Sequence, residues 1–285
     1  GNTLLTEFAI KALQEEKLGK GEHIDFLSIS YSIPDVIGHT FGPQSIEMED
    51  IYLRLDRDLS TLFEALDSQV GKNNYTLFLT SDHGAIENVS FLKDHKQDAA
   101  IARTMGDARE LESFLDSKYG NASWITTING NNLYLNKSTI DEQKLTLPII
   151  QKDAADFLMR QPGVSLALTA DDLQTHVYEE GIRKTMQNGY HVQRSGDVLI
   201  NYTSGTIIHP NPTIEVGNVK GTVHGSGYSY DTHVPLIWMG KGITVGESVR
   251  AVNPIDIAPS LSMLLSIPLP SSSQGKPLME LFEKQ

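Results

Sequence analysis

Apolar residues recur along this chain at two spacings. Leu4, Leu5, Phe8, Ala12 and Leu13 follow a helical spacing directly after Asn2 and Thr3, either of which can cap a helix. A helix is therefore expected from about Leu4 to Lys17, ended by Gly19 and Gly21. Ile24, Phe26, Leu27 and Ile29 then make a short apolar run that reads as a buried strand, leading into the loop YSIPDVIGHTFGP from Tyr31 to Pro43. The longest stripe, Ile51, Leu55, Leu59, Leu62, Leu66 and Val70, predicts an amphipathic helix from about Ile46 to Val70, stopped at Gly71. A second apolar run, Tyr75 to Leu79, runs into Ser81-Asp82-His83-Gly84. Strand, helix and strand at this separation form a βαβ unit, whose two strands are expected to be parallel.

Further on the pattern is shorter-ranged. The polar stretch from Glu87 to Arg103 gives no assignment. Helical spacing returns over Asp107 to Lys118 and again from Pro148 to about Met159, and Asp171 to Gln187 reads as mostly helical. Strands are expected at Trp124 to Ile128 and Leu133 to Leu135, around the Asn129-Gly130-Asn131-Asn132 turn, and at Val164 to Leu168, Asp197 to Asn201 and Val234 to Met239. A helix near Ile255 to Leu265 closes the series. Residues 85–215 read either as a cap or insertion over the site or as a continuation of the sheet. The alternation predicts an α/β fold with a mostly parallel sheet, the whole of 1–285 forming one domain.

Composition narrows the chemistry. A formal net charge of −13 argues against nucleic acid or an anionic membrane surface as partner, since both select basic patches. No apolar run reaches the length of a membrane-spanning helix. The chain has no cysteine, which removes disulfides, thiolate metal sites and cysteine nucleophiles. A tight transition-metal site must then use imidazole and carboxylate.

Those two groups occur together twice after an expected strand. Asp35 and His39 are four residues apart on the first loop, a spacing that can bring both to one metal. Asp82 and His83 are adjacent, and can share a metal only if the backbone turns sharply, which Gly84 permits. Taken singly, each motif is more often a capped turn with a surface histidine. His224, between Gly221 and Gly227, sits where the backbone can approach a ligand closely. His233 competes with it but reads more readily as a structural or outer partner. His23, His95, His176, His191 and His209 read as surface or satisfied histidines.

The ordered set DVIGHTFGP, IYLRLDRDL, YTLFLTSDHGA, GTVHGSGYSYDTHVPLIWMG and NPIDIAPSLSMLL resembles the alkaline phosphatase superfamily, and most closely its phosphate-irrepressible bacterial type. The resemblance runs from Ile24 to Leu265. It implies a three-layer α/β/α sandwich and a centre of two Zn²⁺, with Asp35, His39 and His224 on one ion and Asp82 and His83 on the other. It further implies hydrolysis of small-molecule phosphate monoesters in two steps through a phosphorylated Thr or Ser, two cations about 3.5–4 Å apart answering the charge on the attacking and leaving oxygens. A sixth metal ligand and the nucleophile of that pattern have no counterpart here. No catalytic nucleophile is therefore assigned, and the chain is expected to be a C-terminal part, inactive alone, of an exported, periplasmic or secreted enzyme. A phosphodiesterase or nucleotide pyrophosphatase of the same superfamily shares these ligands. A sulfatase fits less well, because its single Ca²⁺ takes more oxygen ligands. In a different class stands a non-catalytic metal-binding domain.

Overall fold

The computed structural model describes residues 1–282. Its contacts divide the chain into two compact units, one built from Gly1–Pro34, Glu49–Asp82 and the segment from Val234 onward, the other from Asp35–Met48 and His83–His233.

In the first unit the opening helix, Asn2–Glu15, buries Asn2, Thr6, Ala9 and Leu13, one face of a 3.6-residue repeat. It meets the long helix Ile46–Gln69 through Thr3, whose hydroxyl donates to Asp58 at 3.1 Å, and through Gln69, whose amide donates to the Leu18 carbonyl at 2.9 Å. Of the apolar stripe on that long helix, only Leu62 is fully buried, while Ile51, Leu55, Leu59 and Leu66 are half-buried. The strand Thr76–Thr80 pairs antiparallel with Leu236–Gly240.

Two expectations fail here. Residues 24–30 carry no strand pairing among the described residues, and Ile24 and Phe26 are 74% and 64% exposed. Apolar content alone cannot make a strand; a hydrogen-bonded neighbour must take its backbone groups, and none does. The βαβ unit therefore does not form. The mostly parallel sheet is corrected with it, because among the described strands only Ala100–Arg103 and Thr206–His209 pair in parallel.

The second unit holds the largest core. Its four-stranded antiparallel sheet runs in the order Ile125–Asn129, Asn132–Leu135, Val198–Tyr202, Val164–Thr169, the first two strands joined by the expected Gly130 turn. Helices Thr104–Tyr119 and Leu147–Leu158 supply Leu111, Leu115, Ile150 and Leu158 to a cluster closed by Trp124, Leu133 and Ile200. Pro148 stands in the first turn of the second of these helices, where its missing N–H is not needed. The expected single helix over 171–187 is two, Ala170–Thr175 and Gly181–Gly189, the first fixed by a capping box between Thr169 and Asp172. Residues 85–215 thus build sheets of their own, separate from the 76–80 pairing.

Candidate metal centre

Asp35 and His39 lie on a helix, Ile33–Phe41, not on the loop expected from Pro34 and Gly38. Proline is tolerated in a first helical turn, so Pro34 opens the helix instead of barring it. The four-residue spacing then has a direct structural meaning: the two side chains project from one face, one turn apart. Asp35 Oδ1 and His39 Nε2 are 3.3 Å apart.

The segment carrying His224 is clamped against that helix. The Thr222 N–H donates to the Gly38 carbonyl at 3.0 Å, and His39 Nδ1 contacts the Thr222 carbonyl at 2.9 Å. A Cβ at Gly221 would overlap the His39 carbonyl, so only glycine allows the two backbones this close. On its other side the buried Thr222 hydroxyl donates to the Ile86 carbonyl, and the Asn88 amide donates to the Val219 and Gly221 carbonyls at 2.9 and 3.2 Å. The chain after His83 is tied in the same way, the Gly84 N–H donating to the Asp231 carbonyl at 2.7 Å. Gly84 is required for that approach, since a Cβ would meet the Tyr230 carbonyl, and the chain bends just before it, at Asp82.

These tethers gather three imidazoles around one oxygen. His39, His224 and His83 place Nε2 at 3.3, 3.6 and 3.9 Å from Asp35 Oδ1. Asp35, His83 and His224 each offer an atom within 4.8 Å of the other two. The rings of His83 and His224 stack with centroids 3.4 Å apart.

Hydrogen bonding decides what those nitrogens present. His39 Nδ1 faces the Thr222 carbonyl, and His83 Nδ1 faces the Gly84 carbonyl at 2.9 Å. A carbonyl only accepts, so both Nδ1 atoms carry the proton and both Nε2 atoms present a lone pair when the rings are neutral. Burial, with His83 beside it, pushes the His224 imidazole below its ordinary value. In their neutral forms His39 and His83 then turn lone pairs toward a carboxylate oxygen, a geometry that a cation among them would satisfy. Neutral imidazoles with a carboxylate and no thiolate are a donor set suited to zinc.

Asp82 directly precedes His83 and belongs to the first unit, ending its segment Glu49–Asp82; its carboxylate accepts from the Ser81 hydroxyl at 3.4 Å. Asp35, His39, His83 and His224 form their group within the second unit. His233 is exposed and does not join it. His95 Nδ1 contacts the Phe91 carbonyl at 2.8 Å, and His191 and His209 accept backbone N–H groups, all as satisfied histidines. Thr222 and Asp231 escaped the sequence reading, since their parts rest on contacts with residues far away in the chain.

The chain resembles known proteins along nearly its whole length. A family model described as type I phosphodiesterase / nucleotide pyrophosphatase matches residues 2–227. Alkaline phosphatase PafA of Elizabethkingia meningoseptica is 37% identical over 98% of this chain and 50% of its own length. Alkaline phosphatase PhoV of Synechococcus elongatus is 37% identical over 99% of this chain and 50% of its own. A crystal structure of wild-type PafA superposes with a TM-score of 0.90 at 36% identity, covering 99% of this chain and 52% of that one. The chain thus has an alkaline phosphatase-like fold and spans about half the length of the curated relatives it matches. On these grounds the chain belongs to the type I phosphodiesterase / nucleotide pyrophosphatase family, within the alkaline phosphatase superfamily.

Proposed function

We propose that this chain carries metal-binding residues of a zinc-dependent phosphate monoester hydrolase. The observation that carries the reading is the convergence of three imidazole Nε2 atoms on Asp35 Oδ1, two of them fixed as lone-pair donors by backbone carbonyls. Asp35, His39 and His224 would hold one zinc, and Asp82 and His83 the other. When bound, the metal supplies Lewis-acid polarisation of phosphoryl oxygens. The chain's own residues hold that charge in place. Asp35 contributes negative charge, the Thr222 and Gly84 carbonyls keep His39 and His83 in one tautomer, and the Thr222 and Asn88 contacts keep the His224 segment against the helix.

The phosphorylated Thr or Ser of the two-step scheme is not assigned to a residue here, since the chain spans about half of its relatives. Small phosphate esters are the proposed substrates, and the periplasm or the exterior the proposed location. No helix among the described residues is long and apolar enough to cross a membrane. The family description favours a second reading, diester or nucleotide pyrophosphate hydrolysis at the same centre.

Metal analysis of the purified chain, followed by turnover of a monoester and a diester by the longer protein that contains it, tests both. Bound zinc with faster monoester turnover, lost in Asp35→Ala, is the expected result. Faster diester turnover selects the second reading. Absence of both metal and turnover would leave a binding or structural domain.

A further inference from the structure

The glycine loop that carries His224 is held at one peptide from both edges. In the Gly225–Ser226 peptide, the Ser226 N–H donates to Asp231 Oδ2 at 2.7 Å. The Gly225 carbonyl, on the opposite edge, accepts from the Asn131 side-chain amide at 3.3 Å. Gly225 has φ +113°, a conformation that only glycine takes readily, so its own backbone does little to stop this peptide from rotating. The two side chains restrain it instead.

Asn131 lies in the Asn129-Gly130-Asn131-Asn132 turn, which joins two strands of the four-stranded sheet. Its carbonyl accepts the Ile200 N–H at 2.8 Å, which fixes its backbone to that sheet. Neighbouring groups also settle which way its side chain points. The Gly196 N–H donates to Asn132 Oδ1 at 2.8 Å, so the Asn132 NH₂ faces the other way and donates to Asn131 Oδ1 at 2.9 Å. The Asn131 NH₂ is thereby turned toward the Gly225 carbonyl. Donor meets acceptor at each step from Gly196 to Gly225, and bonds in such a series strengthen one another.

We propose that Asn131 is a positioning residue for His224, clamping the adjoining peptide from the four-stranded sheet. Asn132 orients the Asn131 amide, and Asp231 holds the opposite edge of the same peptide. A turn that carries no candidate metal ligand thereby restrains the backbone on which His224 meets Asp35 and His83. The use of this clamp rests on the metal reading above, but the clamp belongs to the metal-free chain and is measured there.

Two measurements on the whole chain test it: hydrogen exchange of the Ser226 amide in the metal-free protein, followed by NMR, and Co²⁺ affinity. Asn131→Ala removes the bond to Gly225. Asn132→Asp leaves Asn131 in place but replaces the NH₂ beside it with a second carboxylate oxygen. The Asn131 amide then turns over and sets its oxygen against the Gly225 carbonyl. Both variants are expected to speed Ser226 exchange and to weaken Co²⁺ binding, each by roughly 2–10-fold, the worth of one hydrogen bond. Ile140→Val, a buried change in the same unit, is expected to lower stability in urea and to leave Co²⁺ affinity unchanged. Should Asn132→Asp not fold, Asn131→Ala, at a half-buried turn position, decides alone. Unchanged Ser226 exchange overturns the clamp. Faster exchange at unchanged Co²⁺ affinity, or an equal loss of affinity in Ile140→Val, overturns the positioning role. A wild-type chain that binds no Co²⁺ sinks the metal reading instead, and Ser226 exchange then decides the clamp by itself.

Discussion

His83 and His224 stack face to face, their ring centroids 3.4 Å apart and their planes 11° from parallel, with both Nε2 atoms within 3.9 Å of one Asp35 oxygen. Two imidazolium ions would repel in such a stack, and two neutral rings present lone pairs to a carboxylate. A cation among them would satisfy all three groups. Asp35→Asn removes the charge while keeping the shape, so its zinc affinity should fall by more than the roughly 10–100-fold that loss of an outer partner costs. Competition titration against a chromophoric chelator measures this.

Gly221 admits no side chain because a Cβ would overlap the His39 carbonyl. Gly221→Ala should therefore cost about 1–3 kcal/mol, the range for overpacking, and weaken metal binding as the His224 segment moves off the helix. Urea unfolding of the metal-free protein gives the first number and zinc titration the second.

The Thr222 hydroxyl is buried and donates to the Ile86 carbonyl. Thr222→Val keeps the shape but leaves that acceptor unpaired, and should lower stability by about 1–3 kcal/mol. The backbone carbonyl that orients His39 is retained, so zinc affinity should fall less than in Gly221→Ala.

Much of this was legible in the sequence, for identifiable reasons. The stripe from Ile51 to Val70 found its helix because helical periodicity survives partial burial, and the Gly130 turn found its hairpin. Asp35, His39, His83 and His224 were singled out by residue type and by neighbouring glycines, and the fold brings them together. The helix under Asp35 was hidden because Pro34 and Gly38 look like loop residues until the first-turn position of the proline is known. The strand at 24–30 failed for the opposite reason. Its apolar pattern is sound, but pairing depends on a neighbour that a local pattern cannot reveal. The part played by Asp231 was invisible because its carbonyl meets the N–H of Gly84, far away in the chain.

The unpaired run at 24–30 has a consequence for handling. Ile24, Phe26 and Leu27 are exposed together, an apolar surface on which copies can associate. Phe26→Lys should reduce concentration-dependent association, read by light scattering, without altering zinc affinity.

In the metal-free protein the lowered His224 value fixes the sign of a pH effect. A histidine depressed in the folded state binds fewer protons there than in the unfolded chain. Its share of stability is therefore intact above the ordinary histidine value and is lost as pH falls through the folded one. Metal-stripped protein should lose stability on acidification across that window, and His224→Gln should flatten the loss. Chemical unfolding between pH 5 and pH 8 checks it.

X-ray absorption at the zinc edge of the zinc-loaded chain tests the central claim most directly. The account predicts imidazole scattering with zinc–nitrogen distances of about 2.0–2.1 Å, diminished in His39→Ala and His224→Ala. A spectrum of hydrated zinc with no imidazole shell, or one unchanged by both substitutions, would contradict it.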